Sequence, residues 1–250
     1  MKATKITIVA LCLTLGFTQC KKKESEPTPE PTPEVVITED DAADIIASST
    51  GSGSYGMTSS TSDASQKTYI ASNVPTPCLY SLDTTYTKAN PTNSLGITYS
   101  YSLNYKYQMY CTSGILTSMV FNLTTSGNLE MPRISATTSS TGTLTLTGLL
   151  PSATAYTANG TYIRNGSATS KVRNKNGYTY QINFNLSNLS VNKTSYAVQS
   201  GSGAITFSAT TTTGKVYNFS GTLTYLNSTQ ATLVINGKTY TINIPNSEVM

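Results

Sequence analysis

From Lys215 to Ile244 the apolar residues fall on alternate positions: Tyr217, Phe219, Leu223 and Tyr225, then Ala231, Leu233 and Ile235, then Tyr240, Ile242 and Ile244. A period of two puts successive side chains on opposite faces of an extended chain, so the stretch predicts three strands with one buried face. Asn236-Gly237 supplies two residues that tolerate positive φ, the signature of a two-residue type I′ turn, which sets Ile235 opposite Lys238. A five-residue loop centred on Ser228 then pairs Tyr225 with Ala231 and Leu223 with Leu233. In that register all three strands turn their apolar residues one way and Thr, Ser and Asn the other. The result is a scaffold; no catalytic group stands on it.

The same alternation recurs upstream. Ile97 to Met109 places Tyr99, Tyr101, Leu103, Tyr105, Tyr107 and Met109 on one face and Ser100, Ser102, Asn104, Lys106 and Gln108 on the other. Further strands are expected at 115–124, 129–137, 142–150, 156–164, 167–173, 178–186 and 204–210, with Asn165-Gly166 and Asn176-Gly177 as tight turns and Pro132 at an edge or bulge. The predicted fold class is all-β: a single antiparallel domain of about 10–12 strands, its strongly curved sheet closed as a barrel or folded as a sandwich. One short N-terminal helix, about residues 39–49, is expected to pack on it. Thr38 is its N-cap, and Glu39, Asp40 and Asp41 sit in the first turn, where the helix dipole favours acids. Residues 50–66, rich in Ser, Gly and Thr, read as a loop.

Ahead of the domain, Lys2 and Lys5 precede an uncharged apolar run from Ile6 to Phe17, and then Thr18-Gln19-Cys20. That run is the length of an export-signal core, too short to remain as a membrane-spanning helix. Residues 21–34, KKKESEPTPEPTPE, alternate Pro with Thr and Glu, a composition that cannot pack a core and favours an extended tether reaching roughly 40 Å at about 3.1 Å per residue. Cys20 looks like the lipid-acceptor cysteine of a bacterial lipoprotein. With the tether, the DAADIIASS helix and the Tyr/Thr-rich strands, the layout resembles small outer-membrane lipoproteins of Bacteroidota. The resemblance implies a signal peptide over 1–19, a lipid-anchored tether over 20–34, an all-β domain over 35–250, and an exported protein held to the cell envelope, in the outer membrane, on its periplasmic or surface face. It implies no activity.

Charge and cysteine use narrow the function classes. Eight of the twelve acids lie between Glu24 and Asp44, so the chain from Thr50 onward carries eleven Lys or Arg against Asp63, Asp83, Glu130 and Glu248. For an envelope protein, a basic domain points to anionic glycans or headgroups and away from nucleic acid. Cys78 and Cys111, the two thiols left in the domain, are expected to pair in an oxidising compartment; two buried free thiols are the alternative. With no histidine in the chain there is no imidazole base or Ser-His-Asp triad, and no transition-metal site is expected. Glycosidase chemistry needs two facing carboxylates, and three scattered acids offer no such pair. The expectation is a protein that is not an enzyme, with no cofactor and no metal.

Two features remain as candidate binding elements. Tyr99, Tyr101, Tyr105 and Tyr107 form either a core face or an exposed platform for sugar rings. Arg164, Lys171, Arg173 and Lys175 read as a basic hairpin that grips an anion, or as edge charges that discourage sheet-to-sheet pairing. The expected function is a lipid-anchored binding or structural module with a glycan or envelope protein as partner. The alternatives are a carrier of an apolar ligand inside a barrel and a hydrolase with an unrecognised site. Oligomeric state is not legible.

Overall fold

The computed structural model describes residues 35–91, 94–173 and 176–250. The signal segment, Cys20, the tether and Lys175 lie outside them. Within Val35–Met250 the chain forms one compact unit. Two helices, α1 (Glu39–Thr50) and α2 (Met57–Ser72), precede a short 3-10 turn at Pro77–Leu79 and then eleven strands. These are β1 (Ser81–Asn90), β2 (Thr98–Thr112), β3 (Ile115–Glu130), β4 (Ile134–Thr147), β5 (Ala155–Ser170), β6 (Gly177–Asn192), β7 (Val198–Thr211), β8 (Val216–Tyr225), β9 (Gln230–Ile235), β10 (Lys238–Asn243) and β11 (Glu248–Val249). Each strand pairs with its sequence neighbours in one antiparallel sheet of order β1 to β11. No ladder joins β1 to β11 among the described residues, so the sheet is open.

The register of the last strands is the one that alternation dictates. Ile235 faces Lys238, Leu223 faces Leu233, and Tyr225 faces Ala231. Asn236 and Gly237 both have positive φ, 47° and 85°. Because the side-chain period is two, this register sends Leu223, Tyr225, Leu233, Ile235, Tyr240 and Ile242 to the buried face together.

Several strands run longer than the sequence suggests. The polar stretches 125–128 and 138–141 continue β3 and β4 instead of breaking them, and Pro132 sits in the turn between the two strands. Asn165-Gly166 is not a turn: it lies inside the sixteen-residue β5. Gly166 is there because a Cβ would come 2.5 Å from the Thr137 carbonyl oxygen and 3.0 Å from the Tyr180 hydroxyl. Packing space, and not turn geometry, explains this glycine.

The second correction is α2, where a loop was expected over 50–66. Its Ser and Thr residues are poor helix formers because their hydroxyls compete for backbone groups. Here that competition is absorbed within the helix: Thr61, Ser65 and Thr68 donate to the carbonyls of Met57, Thr61 and Ala64, four residues back. Small side chains on Ser60, Ala64 and Ser65 let the helix lie close to its neighbours, and tertiary burial decides its conformation.

Helix α1 follows expectation. Thr38 and Asp41 form a reciprocal capping box, the Thr38 hydroxyl accepting from Asp41 N–H and the Asp41 carboxylate from Thr38 N–H. Ten of its twelve residues are buried, which requires cover on every side. Strands β9, β10 and β11 and helix α2 supply contacts, while from β5 the Arg164 guanidinium reaches the Ser48 carbonyl at 3.4 Å. The sheet is therefore curled, with both helices on its concave, apolar face.

At its N-terminus α1 is tied to three turns at one end of the sheet. Asp44 accepts from Arg133 Nε at 2.9 Å and Nη2 at 3.2 Å, and from Arg173 Nη1 at 2.7 Å, the same nitrogen lying 2.9 Å from Asp41. Lys238 and Tyr240 both donate to Asp40. Arg133 comes from the β3–β4 turn, Arg173 from β5–β6 and Lys238 from the start of β10 after the β9–β10 turn. Asp40, Asp41 and Asp44 are thus committed to ion pairs.

Asp44→Ala should leave Arg133 without its acceptor and Arg173 with Asp41 alone, and cost on the order of 1 to 2 kcal/mol, since both guanidinium groups are partly exposed. Glu39→Ala, whose carboxylate accepts from the Asn236 amide at 3.4 Å and pairs with no cation among the described residues, should change stability little. Urea unfolding of the two variants checks this; equal midpoints would show that the cluster does not hold the helix.

Candidate functional site

The strand alternation that builds the sheet also disposes of the tyrosine row. Tyr101, Tyr105 and Tyr107 are buried on the concave face and Tyr99 is half-buried, stacked on Tyr101 with ring centroids 5.3 Å apart. These rings are core, and in this conformation they present no platform. Tyr105 and Tyr86 donate to Asp63 Oδ2 of α2 at 2.7 and 3.3 Å, and Tyr55 donates to the same oxygen. Asp63 thereby pins α2 to β1 and β2.

Of the four cations expected on one hairpin, Lys175 lies outside the described residues, and the other three point to separate partners. Arg164 points inward from β5, about 1% exposed, donating to Tyr101 Oη at 2.8 Å and to Thr138 Oγ1 at 3.2 Å. Lys171 is paired with Glu130 and with the Met131 carbonyl at 2.8 Å, and Arg173 with Asp41 and Asp44. These three cations are spent on intramolecular partners. Asp83 is exposed on β1 and accepts from Asn104 at 2.8 Å, so Asp63, Asp83 and Glu130 stand on three separate elements.

A different site emerges at the opposite ends of the strands. Four segments converge there: the C-terminal turn of α2, the Pro77–Leu79 turn, the β4–β5 turn and the β6–β7 turn. Between them lies a cleft of about 460 Å³, walled by Tyr69, Pro77, Leu149, Leu150 and Pro151, with Leu116 and Tyr156 from the strands and Lys193 at its edge. Each wall has a local cause. Gly148 adopts φ 75°, and a Cβ there would meet the Ala155 carbonyl oxygen at 2.6 Å, so the β4–β5 chain reverses tightly and projects Leu149 and Leu150. The Asn192 carboxamide accepts from the N–H groups of Thr194 and Ser195 at 2.8 and 2.9 Å, an Asx turn that sets the β6–β7 loop and Lys193 within it. Cys78 and Cys111 are disulfide-bonded, Cα atoms 5.4 Å apart, which ties the Pro77–Leu79 turn to the end of β2. Closing a loop of 33 residues removes roughly 3 to 4 kcal/mol of unfolded-state entropy.

The mouth of the cleft is apolar. Of its lining residues Tyr69 is 50% exposed and Leu150 48%, values high for residues of this type. Lys193 Nζ donates to the Leu150 carbonyl at 2.7 Å and lies 5.0 Å from the centroid of the Tyr156 ring. Partial burial lowers its pKa, and burial lifts the Tyr156 phenol to about 12. No carboxylate pairs with Lys193 among the described residues.

Sequence reasoning missed this site because its residues come from four turns with no shared period. The one legible sign was Leu149-Leu150 ahead of Pro151, two leucines ending at a break where turn residues are usually polar. The chain matches no family model, no curated protein and no solved structure.

The buried phenols set a pH limit. Burial raises the pKa of Tyr55, Tyr105, Tyr178 and Tyr225, and lifts Tyr180 to about 12. Below about pH 10 the phenol proton is held in both states; above it the unfolded chain ionises and the fold does not, so stability falls as pH rises past about 10. Tyrosinate absorbance from these rings should appear together with loss of β-sheet circular dichroism. Gradual ionisation in a still-folded chain would contradict their burial.

Proposed function

We propose that this chain is a lipid-anchored envelope protein whose β domain is a non-catalytic binding module, with the cleft at its apolar end as the ligand site. The observation that supports it is the cleft: its volume lies in the range of small-molecule sites, and its walls are apolar with one charged group at the edge, the composition such sites use. A carrier holding its ligand deep inside the curl is less favoured. That space is taken by α1, by the rings of Tyr101, Tyr105 and Tyr162, and by Arg164, all buried. An enzyme is less favoured too, because the three central carboxylates are separate and the chain has no histidine.

In this reading the sheet is an incompletely closed barrel whose interior is filled by helices, and the cleft is its open mouth. The location rests on residues 1–34: the basic start, the apolar run, Cys20 and the Pro/Glu tether, with the resemblance to Bacteroidota outer-membrane lipoproteins in the same order. Val35 joins the domain at the charged end, where its carbonyl accepts from the Tyr217 hydroxyl at 3.2 Å, so the chain enters at the opposite end of the strands from the cleft.

Two measurements test this reading. Fatty-acid labelling in cells should mark the wild-type chain and spare Cys20→Ala; an unlabelled wild type removes the anchor. After exposure to an organic extract of cell envelopes, the chain should retain a small ligand in native mass spectrometry, with hydrogen exchange slowed in the β4–β5 and β6–β7 turns. Leu150→Lys should abolish both effects. Protection elsewhere, or none, removes the cleft as the site.

A further inference from the structure

The cleft's polar inventory narrows what it can hold. Ser72 and Asn73 line it, but the Ser72 hydroxyl and the Asn73 amide both donate to the Tyr69 carbonyl, at 2.9 and 2.7 Å, closing the end of α2. A neutral sugar, which needs several directed donors and acceptors, finds those groups already committed. Lys193 differs. An ammonium has three N–H donors; one goes to Leu150 O and one side faces the Tyr156 ring, which leaves a direction open to the cleft.

The surroundings favour an anion there and an alkyl chain beside it. None of the turns that build this end carries an acid: residues 68–80, 110–118, 147–157 and 191–198 contain no Asp or Glu. Much of the lining is aliphatic, from Leu149, Leu150, Pro151 and Leu116, with Tyr69 and Tyr156 completing it. Leu149, Leu150, Pro151 and Leu116 reward methylene groups, and the Tyr156 face on which a sugar would stack already has Lys193 over it.

Building on the reading of the cleft as a binding site, we propose that its ligand is a single-chain amphiphile with one anionic head, a carboxylate or a phosphate monoester. The head is held by Lys193, and the alkyl chain lies over Leu149, Leu150 and Leu116. The bound chain covers the apolar mouth, which accounts for an exposed hydrophobic rim on an otherwise Ser- and Thr-covered surface.

Calorimetric titration of the full chain with alkyl phosphates below their micelle concentration tests this, with decyl maltoside and inorganic phosphate as comparators. Decyl phosphate should bind, each added methylene tightening binding about fourfold until the cleft is full, which is the ~0.8 kcal/mol of a buried CH₂ converted to affinity. Lys193→Gln should weaken decyl phosphate about tenfold and leave decyl maltoside unchanged, while Leu150→Ser should weaken both. Decyl maltoside binding as tightly as decyl phosphate, or an unchanged preference in Lys193→Gln, overturns the anionic head and leaves the cleft standing as a site. Inorganic phosphate binding as tightly as decyl phosphate overturns the alkyl chain. Binding confined to anionic phosphatidylglycerol vesicles shows a membrane-docking rim and overturns the proposal. If no alkyl compound binds, the proposal fails, and retention of an extracted ligand decides the cleft separately.

Discussion

The curl of the sheet depends on what happens at the first turn of α1. Asp44 is 5% exposed and could not be buried there alone, since an isolated carboxylate loses its hydration without replacement. Arg133 and Arg173 replace it, and because they come from two different turns, satisfying one carboxylate also fixes the distance between those turns. Lys238 brings in a third through Asp40. A sheet whose turns are drawn onto one helix end must be concave toward that helix. The pairs themselves contribute modestly, as partly exposed ion pairs do; their effect lies in specifying which curvature buries the apolar face.

That commitment explains why Arg133, Arg173 and Lys238 offer no free basic patch. Formal charge read along a chain counts cations without their partners. The acids that neutralise Arg133, Arg173 and Lys238 sit in α1, about ninety to two hundred residues earlier in sequence, and nothing in local spacing reveals the pairing. Arg164 is a sharper case. Between Ile163 and Asn165, in a stretch that reads as a hairpin end, it looks like a surface charge. Tertiary structure turns it inward because β5 runs through Asn165-Gly166 without stopping, and even positions of that strand face the concave side. Its contact with the Ser48 carbonyl places a cation near the C-terminal end of α1, where the helix dipole favours one.

The legible parts of the fold share one property: they are governed by local periodicity or by a turn with a strict backbone requirement. The β8 to β10 register followed from Tyr217 to Ile244 and Asn236-Gly237, and α1 followed from Thr38 and its acids. What was not legible depended on distant packing. Helix α2 has the composition of a loop, and its hydroxyls become compatible with a helix once Thr61, Ser65 and Thr68 donate inside the helix and the surrounding sheet excludes water. Asn165-Gly166 carries a turn signature, yet Gly166 serves the Tyr180 ring. The cleft was least accessible of all, since Tyr69, Leu150, Tyr156 and Lys193 meet through an up-and-down topology that gathers alternate turns at one end.

This topology also sorts chemistry between the two ends of the domain. In a meander of even alternation, every second turn lies at the same end, so a bias in a few turns becomes a bias of a whole surface. The turns that meet α1 carry Arg133, Lys171, Arg173 and Lys238 and are neutralised internally. The alternate turns carry Ile115, Leu150 and, beyond β8, Leu226, all more than 45% exposed, with Lys193 as the cation among them. Outward positions from β4 to β8 are mostly Ser, Thr, Asn and Gln, and none is charged, so this outer face of the sheet offers hydrogen bonds that water already satisfies and little to attract a specific partner. One end is closed by ion pairs, and the outer face from β4 to β8 is uncharged. What remains with both unspent apolar area and an uncompensated charge is the end that holds the cleft, and those are the two quantities from which affinity for a small amphipathic ligand is made.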